Sequence, residues 1–270
     1  NALGYLGGAL LVPRLLRRVK PAALLVWGAL AASVFMGLSG FFVEAAPLLA
    51  QRLLAGFASA LVFVSGGLLA ARLAALEPSR AGLLIGLYYS GTGWGILVSA
   101  LLVPAALQAA RGVPHGWSWA WWALAGVCLL ASFVLGRSAR LLQQQEHKTA
   151  TGRWDHTISG LKPVFRWRPL GFALAGSGLF GVGYIGYMTF VVALLREQGV
   201  GDGAVTFFYA LLGLAVVASS RIWAALLDRA RGGGALAALN ALLGVATIAP
   251  ALTSAWPVVL GSGVLFGAVF

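Results

Sequence analysis

Arg52 is the side chain on which most chemistry could turn. It stands five residues after Pro47 in an apolar run, Leu48-Leu49-Ala50-Gln51-Arg52-Leu53-Leu54-Ala55-Gly56, which puts it about 8 Å down a helix entered at the proline. If lipid surrounds that helix, a cation near its middle costs roughly 2.5–3.5 kcal/mol. Arg52 then either faces a cavity or partner, where it can attract an anion, or snorkels to the interface. A second charged group is the run Leu226-Leu227-Asp228-Arg229-Ala230-Arg231-Gly232, with Arg221 one to two turns earlier. A carboxylate at a helix end can pair with an arginine or a helix N-terminus of a neighbouring bundle, and such a pair can form in one state and break in another. An ordinary solvated loop charge is the alternative for Asp228. Arg221 either belongs to that cluster or snorkels.

Hydroxyls and glycines mark a third region. Gly176, Ser177, Gly178, Gly181, Gly183, Tyr184, Gly186 and Tyr187 crowd into one segment. So many glycines weaken a helix and suggest close packing, bending or a discontinuity near a binding site. Ser177, Gly181 and Tyr184 recur at spacings of four and three, hence on one helix face. Tyr184 either lines a cavity or packs as an ordinary aromatic, and the same alternatives hold for Tyr88 and Tyr89. An interhelical hydrogen bond explains Asn240 as well as a binding role does.

Other chemistries lack their residues. His147 and His156 stand nine apart with no thiol or carboxylate cluster around them, so no metal site is expected. The single Cys128 rules out an internal disulfide and reads as packing. No paired carboxylates and no His-acid motif are present for an enzyme acting on lipid. The glycines of residues 82–95 have no Lys-Ser/Thr after them, which argues against a phosphate cradle. No cofactor is expected.

The elements that must position these residues are membrane helices. Apolar residues make up 60% of the chain and charged ones 10%, with a mean hydropathy of +0.90. A soluble domain carries roughly 25% charged residues; so few could not cover a soluble surface. Charge-free stretches run over 21–43, 53–71, 81–110, 112–136, 169–195 and 203–220, the last helix continuing to Leu227. Residues 232–270 are too long for one helix, and Pro250 and the Trp256-Pro257 pair are expected to divide them. With a partial helix at residues 1–12, the pattern predicts nine spans, the first and last incomplete. The chain reads as truncated at both ends. Trp117, Trp119, Trp121 and Trp122 read as anchors at a membrane interface.

The sign of the charges, which that division did not use, sorts the loops onto two sides. Of the 19 basic residues only Arg52, Arg111 and Arg196 fall on one side, balanced there by Glu44, Glu197 and Asp202. The whole net charge of +12 lies on the other, which the positive-inside rule makes cytoplasmic. Residues 13–21 and 137–169 are expected there, and Glu44, His115 and Asp202 outside. Charge so placed suits anionic lipid headgroups, not nucleic acid. The long polar segment Arg137–Arg168 reads as a linker with a surface helix, between one bundle and another.

At this point the chain resembles the major facilitator superfamily. Arg52 with Gly56, continuing to Ser59-Ala60, is similar to that family's Arg-x-x-x-Gly signature. Residues 226–232 look like its Asp-Arg-x-Gly-Arg loop, and Arg14-Leu15-Leu16-Arg17-Arg18 keeps the counterpart's positive charges without the Asp. Gly82, Gly86, Gly91, Gly93 and Gly95 resemble the antiporter glycine motif, without its Pro. Gly4-Tyr5-Leu6-Gly7-Gly8-Ala9 and Gly91-Thr92-Gly93-Trp94-Gly95-Ile96 look like the YbfB/YjiJ branch of bacterial transporters.

The resemblance implies an all-α fold of two six-helix bundles. Residues 1–136 would hold transmembrane helices 2–6, 137–169 the cytoplasmic linker, and 170–270 helices 7–10. It implies a monomeric, non-enzymatic secondary transporter of the bacterial inner membrane, moving a small organic solute by alternating access. The substrate pathway would then include Arg52, Tyr88, Ser177, Gly181, Tyr184 and Tyr187. Asp228, Arg229, Arg231 and Arg221 would gate, and Gly56, Gly91, Gly93 and Gly95 would pack helices. Proton coupling would need Arg52 and the tyrosines, or acids outside this sequence, because no acidic residue lies well inside a span. A lipid enzyme and a non-transporting sensor or scaffold are the rival classes.

Overall fold

A computed structural model describes residues 1–149, 167–229 and 233–269, and all regular structure among them is helical. In order these are α1 (Ala2–Leu15), α2 (Pro21–Leu38), α3 (Ala45–Leu76), a 3₁₀ turn (Pro78–Arg80), α4 (Ala81–Ala109) and α5 (Trp117–Thr149). After them come α6 (Trp167–Glu197), α7 (Asp202–Arg229), α8 (Gly234–Leu252) and α9 (Trp256–Val269). Helices are what an apolar medium permits, since each backbone N–H and C=O finds its partner within the same segment. Seven of these helices among the described residues are long and apolar enough to cross a membrane; α1 and α9, of 14 residues each, are apolar but shorter.

Local signals set the ends. Pro21 opens α2 at a position where a missing N–H costs nothing. Gly199, at φ +75°, closes α6: its left-handed turn lets Val200 N–H reach Leu195 O at 2.9 Å. One expectation needs correcting. Pro250 does not end its helix; α8 runs through it to Leu252. A proline one turn from a helix end forfeits little of the ladder, and the chain breaks only at Thr253, whose backbone is extended. Trp256-Pro257 does open α9. Helix α3 also outruns its charge-free stretch, taking in Arg52 and Arg72, and α5 continues from its apolar part, Trp117–Ala139, to Thr149.

Contacts divide the chain into two units: Asn1–Tyr88 with Val98–Thr149, and Tyr89–Leu97 with Ala150–Phe270. In the first, α3 packs on α1 and α2, and α2 packs on α5. Its buried apolar residues are largely alanines, including Ala58, Ala60, Ala70 and Ala74. Glycines bring the backbones together: a Cβ on Gly4 would run into Leu53 O, and one on Gly56 into Asn1 O. Hydroxyls fasten the remainder. Ser33 and Ser132 meet at 3.3 Å between α2 and α5, and Ser118 Oγ donates to Gly40 O at 2.6 Å.

In the second unit α9 packs on α7 and α8, and α6 on α8. Phe208, Leu212, Val216, Val259 and Phe266 form its centre, with Tyr187, Val191 and Leu195 from α6. Gly93, in the part of α4 that belongs to this unit, lies against Gly213, each leaving no room for a Cβ on the other.

Gly56→Val is expected to overpack the α1–α3 seam and cost about 1–3 kcal/mol. Gly7→Ala, inside α1 where a Cβ meets open space, should instead be neutral or stabilise by up to about 1 kcal/mol. Unfolding of both variants in detergent, followed by circular dichroism, checks the contrast.

Candidate functional site

In the first unit the site grows from one turn of α3. Gln51 points into the bundle and is 4% exposed, with its Nε2 donating to Ser39 Oγ at 2.9 Å and to Phe35 O on α2. Its Oε1 is buried with no partner among the described residues. Arg52, the next residue, is half-buried and turns another way, its guanidinium carbon 4.1 Å from the centre of the Trp121 ring on α5. Such a stack contributes about 0.5–2 kcal/mol, more as water is removed. The ring covers one face of the guanidinium and leaves the N–H donors at its edge. No acidic side chain among the described residues pairs with Arg52; the ion pair present among them is Arg196–Asp202, at 3.6 Å and exposed.

The choice between cavity and snorkelling thus acquires a third element, an aromatic platform. Trp121 was expected only as an interface anchor, while its neighbours Trp119 and Trp122 are exposed and pack with their rings tilted, centroids 6.3 Å apart. Gln51 was passed over by sequence reasoning. The signal available was an uncharged polar residue beside Arg52 in an apolar helix, which in lipid must bond across to a neighbour. Tyr88 belongs to a different level: its O–H donates to Phe63 O at 2.7 Å, in the notch that Gly66 leaves. Phe63 lies eleven residues beyond Arg52, about 16 Å along α3.

In the second unit the residues expected together separate by depth. Tyr187 is 5% exposed. Ser262 Oγ already donates to Val259 O, so the Tyr187 O–H donates to Ser262, at 2.9 Å. Its ring stacks on Phe266 with centroids 4.2 Å apart. Half-buried Tyr184 stacks between Phe180 and Phe266, at 6.2 and 5.9 Å. Gly181 is half-buried and Ser177 exposed. An adjoining groove of about 430 Å³ between α6 and α8 takes Gly176, Phe180 and Gly183 from the neighbouring helix face, opposite Asn240, Gly244 and Thr247.

The remaining candidates are placed more simply. Arg221 and Arg229 are exposed on α7; Arg231 and the Asp228 side chain lie outside the described residues. Gly56 and Gly93 stand at close backbone approaches, whereas Gly91 and Gly95 face open space. Cys128 Sγ lies 3.8 Å from Met36 Sδ, a packing contact between α5 and α2. Among the described residues no three His, Cys, Asp or Glu side chains gather where they could hold a metal.

A stack of long apolar helices, pinned by glycine contacts and a few interior polar groups, is the build of a multi-pass membrane protein. The chain belongs to the family described as uncharacterised MFS-type transporter YbfB, whose model matches residues 1–270. It matches no curated protein and no solved structure. The major facilitator resemblance, with its YbfB-like branch, is therefore correct for the whole chain.

Tyr187→Phe keeps the ring and deletes its donor, while Ser262 retains the Val259 carbonyl. Its expected cost is about 0.5–1.5 kcal/mol, against about 3–5 kcal/mol for Phe266→Ala, which empties the stack. Chemical unfolding in detergent distinguishes the two.

Proposed function

We propose that this chain is a secondary active transporter that moves a small organic solute by alternating access, with Arg52 in the solute's path. The observation that carries the reading is a half-buried cation held on Trp121 with no acidic partner among the described residues, in a chain of a transporter family. A positioned guanidinium whose edge donors have no carboxylate to satisfy them can take up a polar or anionic group from a solute and release it again. Tyr184, Gly181 and Ser177 of α6 and Tyr88 of α4 serve the same pathway in this proposal. Tyr187 shapes it from behind, through the ring stack on Phe266.

Gating falls to the end of α7, where Asp228, Arg229 and Arg231, with Arg221, offer charges whose pairing biases one state over another. The bundles 1–136 and 170–270, joined by a cytoplasmic linker at 137–169, sit in a bacterial inner membrane with their basic loops inward.

The test is solute flux in proteoliposomes, as initial rate normalised to protein in the membrane. Arg52→Ala is expected to lower flux at least tenfold. Arg52→Lys, which keeps charge but loses the planar donor set, should restore only part of it, and Arg52→Gln less again. Activity near wild type in Arg52→Ala would remove Arg52 from the pathway. Asp228→Asn is expected to insert normally and lose several-fold in rate; full activity across solute concentrations would make Asp228 a solvated loop charge.

A further inference from the structure

We infer that the end of α1 is a discrete binding site for one anionic phospholipid, its phosphate held by Arg14, Arg17 and Arg18 and its acyl chain laid along α1. The three arginines and Leu15 surround a cleft of about 390 Å³. All three are exposed, and none pairs with an acidic side chain among the described residues. Three cations within five residues repel one another, and an anion in the cleft relieves that repulsion. Guanidinium groups suit phosphate oxygens because each presents paired N–H donors in a plane.

A bilayer lipid is favoured over free phosphate by the rest of α1. One face of the helix, through Gly4, Gly8 and Val12, is buried. The opposite face carries Leu3, Leu6 and Leu10, which are 76, 57 and 66% exposed. Their spacing of three and four residues makes one stripe, and Arg14 continues it four residues on. An apolar track that runs into a cationic cleft matches a molecule with a chain at one end and a phosphate at the other. The helix end itself accounts for less: one basic residue complements the partial negative charge of its last carbonyls, and three exceed that need.

The site does not depend on transport, so its test needs none. The full chain is incorporated in nanodiscs of phosphatidylcholine with a small fraction of phosphatidylglycerol of the same acyl chains, and retained lipid is read by native mass spectrometry. Phosphatidylglycerol is expected to be retained with one molecule per chain in excess of its bulk fraction. Each arginine near an anionic membrane surface contributes about fivefold to attraction. Retention should therefore fall roughly a hundredfold in Arg14→Gln/Arg17→Gln/Arg18→Gln, and by no more than twofold in Arg72→Gln/Arg80→Gln, which removes charge elsewhere. Leu6→Ala/Leu10→Ala, with the cleft intact, should lower retention several-fold. Circular dichroism melts confirm that each variant is folded. Equal losses in the two arginine variants would show diffuse attraction and overturn the site. Full displacement of the lipid by millimolar inorganic phosphate, or no effect of the leucine pair, would make the ligand a soluble anion and overturn the lipid.

Discussion

At Gly4 and Gly56 the backbones of α1 and α3 meet where no side chain would fit, and this kind of contact supports everything else in the chain. Lipid tails are as apolar as leucine, so no hydrophobic force drives one membrane helix onto another. Association rests on van der Waals contact, which falls away steeply with separation. Glycine and alanine bring backbones within range, and interior hydroxyls and amides then find partners on the facing helix. In the first unit this ordering is plain. The alanine and glycine seams set the spacing of α1, α2 and α3, and the Gln51 amide can then reach Ser39.

The second unit solves the same problem with rings. Phe208 fills the space over Gly263, and Phe266 stacks on Tyr187 and Tyr184. Large flat side chains bury more area per contact than alanines do, and their stacking fixes rotation about the helix axis. Glycine still appears where an aromatic or a backbone needs room, at Gly263 and Gly267, as well as at the Gly93–Gly213 pair. The stack also orients a hydroxyl: the buried Tyr187 O–H donates to Ser262.

Charge is handled by placement. Among the described residues the fully buried polar side chains are uncharged, and half-buried Arg52 rests on a ring whose π face attracts a cation without neutralising it. A carboxylate partner would have locked the guanidinium; an indole leaves its donors available. At the end of α6 Arg196 pairs with Asp202, whereas Arg14, Arg17 and Arg18 at the end of α1 pair with no acid among the described residues.

The helical class, the number of apolar segments and the family were legible in the sequence because they depend on composition and on period. Twenty apolar residues must form a helix in lipid whatever their neighbours are, and motifs around Arg52 and Gly91–Ile96 carry the family. Boundaries were less legible where one residue type has two uses. Pro250 looked like a break, yet near a helix end it costs only one hydrogen bond. Arg72 looked like a loop charge beyond a span, yet α3 runs through it to Leu76. Which glycines pack and which stand open, Gly93 against Gly91, came only with the tertiary structure, because a glycine's role is set by what faces it. The same holds for Gln51, Trp121 and Ser262. Each is an ordinary residue in its own helix, and each acquired its part when a different helix brought Ser39, Arg52 or Tyr187 to within bonding distance.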